Sequence, residues 1–167
     1  MAVPAGPEAA VFFGLFGLLV GSFANVVICR VPEGRSVVKP PSGCPSCGAH
    51  VRAIDNIPVI SWILLRGRCR TCKAPISPRY PIVEALVGLL FAFIGLRFGL
   101  SWTGVAEAAL AAGLVVLAFI DLDHMVLPRK IVYVTLTLVA VALVAGAASG
   151  SQWHRLVIAV ICGIVPW

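Results

Sequence analysis

The chain has 167 residues, 60% of them hydrophobic and only 12% charged, with a formal charge of +6 and a mean hydropathy of +1.01. So few charges cannot cover the surface of a water-soluble domain of this size, which excludes an ordinary soluble fold. A positive balance alone would suit nucleic acid, but the placement of the charges along the chain argues for a membrane surface instead.

Four apolar runs are long enough, or nearly so, to cross a hydrocarbon layer of roughly 30 Å. Val11–Cys29 carries no charge. No Lys or Arg precedes it and it exceeds a secretory signal core, so it reads as a retained helix. A polar, arginine-bearing segment follows. The second run, Ile82–Leu96, holds Glu84 near its start, and the third, Val105–Ile120, holds Glu107 near its beginning. The fourth, Ile131–Ala148, is uncharged, and a fifth stretch, Leu156–Trp167, is too short to span. The expected fold class is an all-α polytopic membrane protein, a helical bundle of four full transmembrane helices and a partial fifth with a zinc-ribbon-like loop. It divides into an N-terminal segment with the first helix (1–29), the loop (30–80) and the remaining helices (81–167).

Charge asymmetry orients this bundle. Eleven of the thirteen basic residues fall either between the first two runs, from Arg30 to Arg79, or at Arg129 and Lys130 between the third and fourth. Only Arg97 and Arg155 lie on the other side. The positive-inside rule therefore predicts a cytoplasmic loop and an N-terminus outside.

Four of the six cysteines, Cys44, Cys47, Cys69 and Cys72, form two Cys-x2-Cys pairs within that loop. A reducing compartment disfavours structural disulfides, and two short-spaced thiolate pairs suit a tetrahedral zinc ion. The 21 residues between the pairs slightly exceed the usual gap, at little extra entropy. Neighbouring Arg52, Arg66, Arg68, Arg70 and Lys73 favour thiolate over thiol. With four protein ligands no position is left for water, so the site reads as structural. A redox-active pair is the alternative, though it would need no second pair. Nucleic-acid binding by a basic ribbon is another, without an aromatic stacking pattern to support it, and no nucleic-acid partner is expected. Cys29 and Cys162 lie in or beside apolar runs, where free cysteines are small buried hydrophobes.

The third run ends in AFIDLDHMVLP, residues 118–128, placing Asp121, Asp123 and His124 where the helix meets the interface. Ionisable residues at that depth default to a functional hypothesis, with the capping of a helix end as the plainer alternative. Asp121 and Asp123 are two steps apart, about 200° around a helix, so they cannot share one proton, and an acid partner must come from another helix. Glu84 shares that edge, and the expectation for it is an ion pair with Arg79 or Arg30.

GSFANVVICRVP (Gly21 to Pro32), CPSC (Cys44 to Cys47), CRTC (Cys69 to Cys72), SPRYPIVE (Ser77 to Glu84) and DLDHMVLP (Asp121 to Pro128) stand in an order that resembles the bacterial type IV prepilin peptidases. The resemblance runs from about Gly14 to the end of the chain. It implies a polytopic inner-membrane aspartic endopeptidase that removes basic leaders from type IV prepilins and type II secretion pseudopilins at the cytoplasmic face. In many members it also implies N-methylation of the new amino terminus from S-adenosylmethionine, and it associates the four-cysteine loop with zinc. Asp121 falls on the first catalytic aspartate. Substrate-binding residues are not assigned.

Two departures from the family pattern stand out. The second catalytic aspartate belongs to a Gly-x-Gly-Asp motif on a later helix, yet no acidic residue follows Asp123, and Arg129 follows Pro128 where Asp or Asn is common. The expectation is a truncated chain holding the front half of the enzyme, inactive in proteolysis alone. The alternatives are a non-enzymatic zinc-stabilised membrane adaptor or a methyltransferase-like module. No Gly-rich nucleotide-binding loop supports methyl transfer independently, and GSFAN reads chiefly as a site of close helix packing.

Overall fold

The computed structural model describes residues 5–150, so the short stretch at Leu156–Trp167 lies outside the described residues. Four long helices carry the fold: α1 (Pro7–Arg30), α3 (Arg79–Phe98), α4 (Trp102–His124) and α5 (Arg129–Gly150), with a five-residue α2 (Ile60–Leu64) in the loop after α1. All four long helices have the length and apolar composition to cross a membrane. Among the described residues there is no strand, only two isolated antiparallel bridges within the loop.

Local chemistry sets the helix ends. Pro7 and Glu8 open α1 and Arg30 closes it, each on the end the helix dipole favours. Ser101 caps α4 by accepting from the Gly104 N–H at 3.1 Å. Met125 ends α4 in the left-handed region and donates its N–H to the Asp121 carbonyl at 2.8 Å, and α5 begins directly after Pro128. Both α3 and α4 extend past the apolar runs, through Arg79 and through Asp121–His124. Polar residues at a helix end propagate the backbone ladder as well as apolar ones, so hydropathy alone underestimates helix length.

Helices α1 and α3 pack most closely. A Cβ at Gly17 would sit 2.6 Å from Phe91 Cβ, and one at Gly21 would sit 2.8 Å from Glu84 Cα. These glycines let the two backbones approach as apolar bundles require. Gly113 of α4 makes the same kind of room for Thr135 of α5. Phe13, Ile28, Val83, Val87, Phe91, Val116 and Ile120 form the shared core. Phe12, Leu15, Phe16, Leu19 and Phe23 line the outer side of α1 and stay more than half exposed, as expected where the solvent is lipid.

The cysteine ribbon and the cavity beneath it

The loop between α1 and α3 folds as two matching knuckles. In the first, the Cys44 N–H donates to the Ala49 carbonyl at 2.9 Å and the Gly48 N–H returns to the Cys44 carbonyl at 2.8 Å. In the second, the Cys69 N–H donates to Ala74 at 2.8 Å and the Lys73 N–H to Cys69 at 3.1 Å. A bridge closes each base, Gly43 with His50 and Arg68 with Pro75. Gly48 and Lys73 occupy equivalent left-handed positions, so the second knuckle holds with a lysine the conformation that glycine gives the first without steric cost.

The knuckles bring Cys44, Cys47, Cys69 and Cys72 together, their Sγ atoms all within 4.8 Å of one another. A tetrahedron with metal–sulfur bonds of about 2.3 Å has sulfur–sulfur edges of about 3.8 Å. Cys44 and Cys72 lie 3.7 Å apart, far beyond a disulfide bond. The cluster can therefore hold one metal ion. Its thiols are electrostatically divided. Backbone N–H groups of Cys47 and Ser46 lower Cys44 to about 6, and those of Cys72 and Thr71 lower Cys69. At Cys72 the Ala74 N–H pulls the same way, but the Cys47 thiol, burial and the other two thiols outweigh it and push Cys72 up to about 11. Four neighbouring thiolates repel one another unless a cation sits between them.

Three contacts brace the ribbon, two within the loop and one to α3. Arg70 forks onto Asp55, with Nε at 3.0 and 2.9 Å from the two carboxylate oxygens and Nη2 at 2.6 Å from Oδ1. The Arg70 hydrogen bonds hold the Asp55 carboxyl below its usual range. Trp62 of α2 donates to the Ile76 carbonyl at 3.1 Å, with Gly67 packed on its ring. Val59 makes the third contact. It sits at φ 61°, ψ −50°, and the Ile60 N–H reaches the Pro58 carbonyl at 2.6 Å across it. This is the positive-φ γ-turn, rare and strained for a β-branched residue. The strain aims the Val59 N–H at Glu84 Oε2, 2.7 Å away.

Glu84 therefore does not pair with Arg79 or Arg30 as the sequence suggested. Arg79 is committed to α4, where it pairs with Asp123, donates to the Phe119 carbonyl at 3.3 Å and lies over the Phe119 ring. Arg30 donates to the Ser36 carbonyl at 3.0 Å. Glu84 faces the underside of the ribbon, where a backbone N–H meets it first. Between ribbon and helices lies a cavity of about 590 Å³, with Ser22, Asn25 and Cys29 of α1 and Tyr80 and Glu84 of α3 on one side and both knuckles, Asp55 and Val59 on the other. Asn25 spans the two helices by donating to the Tyr80 carbonyl at 3.0 Å.

Asp121 is exposed on the last turn of α4, at the ribbon end of the bundle, and makes no ion pair among the described residues. It is not among the walls of the cavity, so the ribbon roofs the α1–α3 seam. Asp123 points instead to α3. Asp55, Val59 and Trp62 were not singled out from sequence. Asp55 carried a signal, as the lone acid between Glu33 and Glu84 in a segment crowded with arginine. Val59 carried none, since no local pattern places valine at positive φ.

Residues 15–98 match the family described as Bacterial Peptidase A24 N-terminal domain. A prepilin leader peptidase/N-methyltransferase of Myxococcus xanthus is 54% identical over 123 residues, which cover 74% of this chain and 37% of that protein. Proteins of the same name from Stutzerimonas stutzeri and Neisseria gonorrhoeae are 42% and 40% identical, over 71% and 73% of this chain and 49% and 51% of their own lengths. The chain thus spans roughly a third to a half of these curated relatives. No solved structure matches. With the glycine-packed α1–α3 pair and the intervening cysteine ribbon inside the matched region, the chain belongs to the bacterial peptidase A24 family, and residues 15–98 are its N-terminal domain.

Proposed function

We propose that this chain is the ribbon-bearing half of a prepilin leader peptidase of the aspartic class, acting on type IV prepilins and type II secretion pseudopilins. Its setting is the bacterial inner membrane, with the ribbon and Asp121 at the cytoplasmic face. The distribution of basic residues supports that orientation. Asp121 supplies one carboxylate of the catalytic pair, and the second lies outside this sequence. The observation that carries the reading is the division of labour at the end of α4: Arg79 takes Asp123, leaving Asp121 exposed and uncommitted on the other side of the helix. A carboxylate without an ion pair can share a proton with a second acid and hold the attacking water, one group serving as base while the other protonates the leaving amine.

Zinc is the metal this reading assigns to Cys44, Cys47, Cys69 and Cys72. Four thiolates at tetrahedral spacing leave it no open position, so its role is to lock the knuckles together. Methyl transfer belongs to the same proposal. S-adenosylmethionine, when bound, supplies an electrophilic methyl group. The cavity under the ribbon is of a size that takes a nucleoside-bearing ligand, and Asn25, Tyr80 and Glu84 offer polar contacts along its helical wall.

Co-expression with a tagged prepilin, with the Gly-x-Gly-Asp half of the enzyme supplied, tests the peptidase reading. Leader removal is expected, and Asp121→Asn is expected to abolish it. Undiminished cleavage by Asp121→Asn refutes the assignment. Purified protein is expected to hold about one zinc per chain, and a Cys44→Ser, Cys47→Ser variant with full zinc content refutes the metal assignment.

A further inference from the structure

Helix α2 is built inside out for a segment in water. Its hydroxyl residue, Ser61, is only 7% exposed and donates to the Ile57 carbonyl at 2.6 Å. Trp62 also turns inward, onto the Ile76 carbonyl and Gly67. Ile60, Ile63 and Leu64, at positions i, i+3 and i+4, form the opposite side and stand 54%, 60% and 76% exposed. Ile54 and Ile57, just before the helix, are exposed as well. Large apolar side chains scattered singly over a surface need no explanation, but a cluster that displaces a hydroxyl to the inside marks a face made for a non-aqueous neighbour.

Depth and charge identify that neighbour. The Val59 N–H meets Glu84 Oε2 at 2.7 Å, and Glu84 lies five residues into α3, about 7.5 Å along its axis from Arg79. A helical side chain tilts toward its own N-terminus, so the bond sets Val59 within the first turns of α3, level with outward-facing Ile82. That is where the lipid-facing surface of α3 begins. Helix α2 starts at the next residue, and its five residues rise only about 6 Å. The polar layer of a bilayer leaflet is roughly 5–8 Å deep, so α2 stays within it. Charge points the same way. Asp55, the one acid between Glu33 and Glu84, is held by Arg70. Arg66 and Arg68, directly after α2, are exposed and make no ion pair among the described residues. An apolar face flanked by uncommitted guanidinium groups complements an anionic lipid surface.

We propose that α2 is an interfacial anchor of the cysteine ribbon. Ile60, Ile63 and Leu64 insert at the boundary of headgroups and acyl chains, in the leaflet where α1 ends and α3 begins, and Arg66 and Arg68 meet its anionic phosphates. The proposal rests on the long helices spanning a bilayer and is independent of the peptidase reading. The lipid surface then holds the ribbon at its height over the α1–α3 seam, with the Val59–Glu84 bond as the tie on the protein side.

The test uses the full chain, purified with its metal and labelled at isoleucine methyl groups, in phosphatidylcholine nanodiscs with or without phosphatidylglycerol. A lipid carrying a nitroxide near its headgroup is expected to broaden the Ile60 and Ile63 methyl signals as strongly as that of Ile82 and more than that of buried Ile28. A soluble gadolinium chelate is expected to leave Ile60 and Ile63 sharp. Broadening by the chelate with little from the lipid overturns the proposal, because the face then lies in water. Protection from both probes overturns it equally and gives the face to a protein, a second copy of this chain included. These comparisons are made on wild type and need no variant to fold. Phosphatidylglycerol is expected to deepen the lipid-borne signal loss in wild type but not in Arg66→Gln, Arg68→Gln. An equal loss in wild type with and without phosphatidylglycerol overturns the role given to the two arginines.

Discussion

Replacing Gly21 with alanine adds one methyl group where α1 and α3 cross. The new Cβ would lie 2.8 Å from Glu84 Cα and 3.2 Å from both the Glu84 carbonyl oxygen and Val87 Cβ. Two of these neighbours are helix backbone and cannot rotate away, so the helices must separate by roughly 0.6 Å to restore the 3.4 Å at which contact becomes ordinary. Overpacking of this kind costs about 1–3 kcal/mol, and the better helix propensity of alanine returns at most about 1 kcal/mol. The net expectation is a loss of about 1–2 kcal/mol. Gly14→Ala is the matched control on the same helix, because its Cβ meets the Ala92 methyl at 3.2 Å and backbone only at 3.7 Å and beyond. It should be neutral or slightly stabilising. Reversible unfolding of the purified chain in mixed micelles, followed by helical circular dichroism, reads both. Separation of the helices also draws Glu84 from the Val59 N–H, now 2.7 Å away, so exchange of that amide should quicken in Gly21→Ala alone. If Gly21→Ala matches or exceeds Gly14→Ala in stability, the close approach of α1 and α3 is not what holds this pair together.

Further predictions concern the ribbon and its attachment. Because Arg70 holds the Asp55 carboxyl below the usual aspartate range, the stability this ion pair gives the ribbon is fully present above the unfolded pKa and is lost as pH falls through the lower folded one. Asp55→Asn should therefore raise hydrogen exchange in residues 53–76 at pH 7, with the difference from wild type beginning to shrink only as pH falls below the ordinary aspartate range and vanishing below the lowered folded pKa. A difference that persists unchanged into acid contradicts the pairing. Val59→Gly keeps the N–H that Glu84 accepts while removing a β-branched side chain from positive φ. It should be neutral or stabilising by up to about 1 kcal/mol, set by the balance of strain relief against chain entropy. A loss above 1 kcal/mol would mean that the valine side chain matters more than its backbone. Arg79→Ala breaks the ion pair, the Phe119 carbonyl bond and the ring contact together. Disulfide trapping or spin-label distances between the ends of α3 and α4 should broaden, and an unchanged distribution would count against Arg79 as their tie.

Much of the candidate site could be read without a structure, because its signals are local. Two Cys-x2-Cys pairs in a basic loop specify a thiolate cluster wherever the loop lies, since each pair closes its own knuckle through hydrogen bonds only a few residues apart. Gly21, in GSFAN, marks one side of α1 as a packing surface for the same local reason. Glu84 shows where such reading stops. Its charge and its neighbours in sequence point to an arginine partner, whereas its partner in the structure is a backbone N–H twenty-five residues away, presented by a strained turn.

The sequence by itself determined the apolar spans, the side on which the basic residues gather and the composition of the metal cluster. These depend on hydropathy, net charge and short-range spacing, which a linear chain displays directly. Tertiary structure decided which acids are neutralised and which are left over: Arg79 goes to Asp123, Arg70 to Asp55, and neither goes to Glu84. It also decided that the ribbon roofs the α1–α3 seam and encloses a cavity there. Ion pairing is a competition among all charges within a few ångströms in space. Its outcome follows from how the helices dock and how the loop folds back, and residue order alone does not contain either.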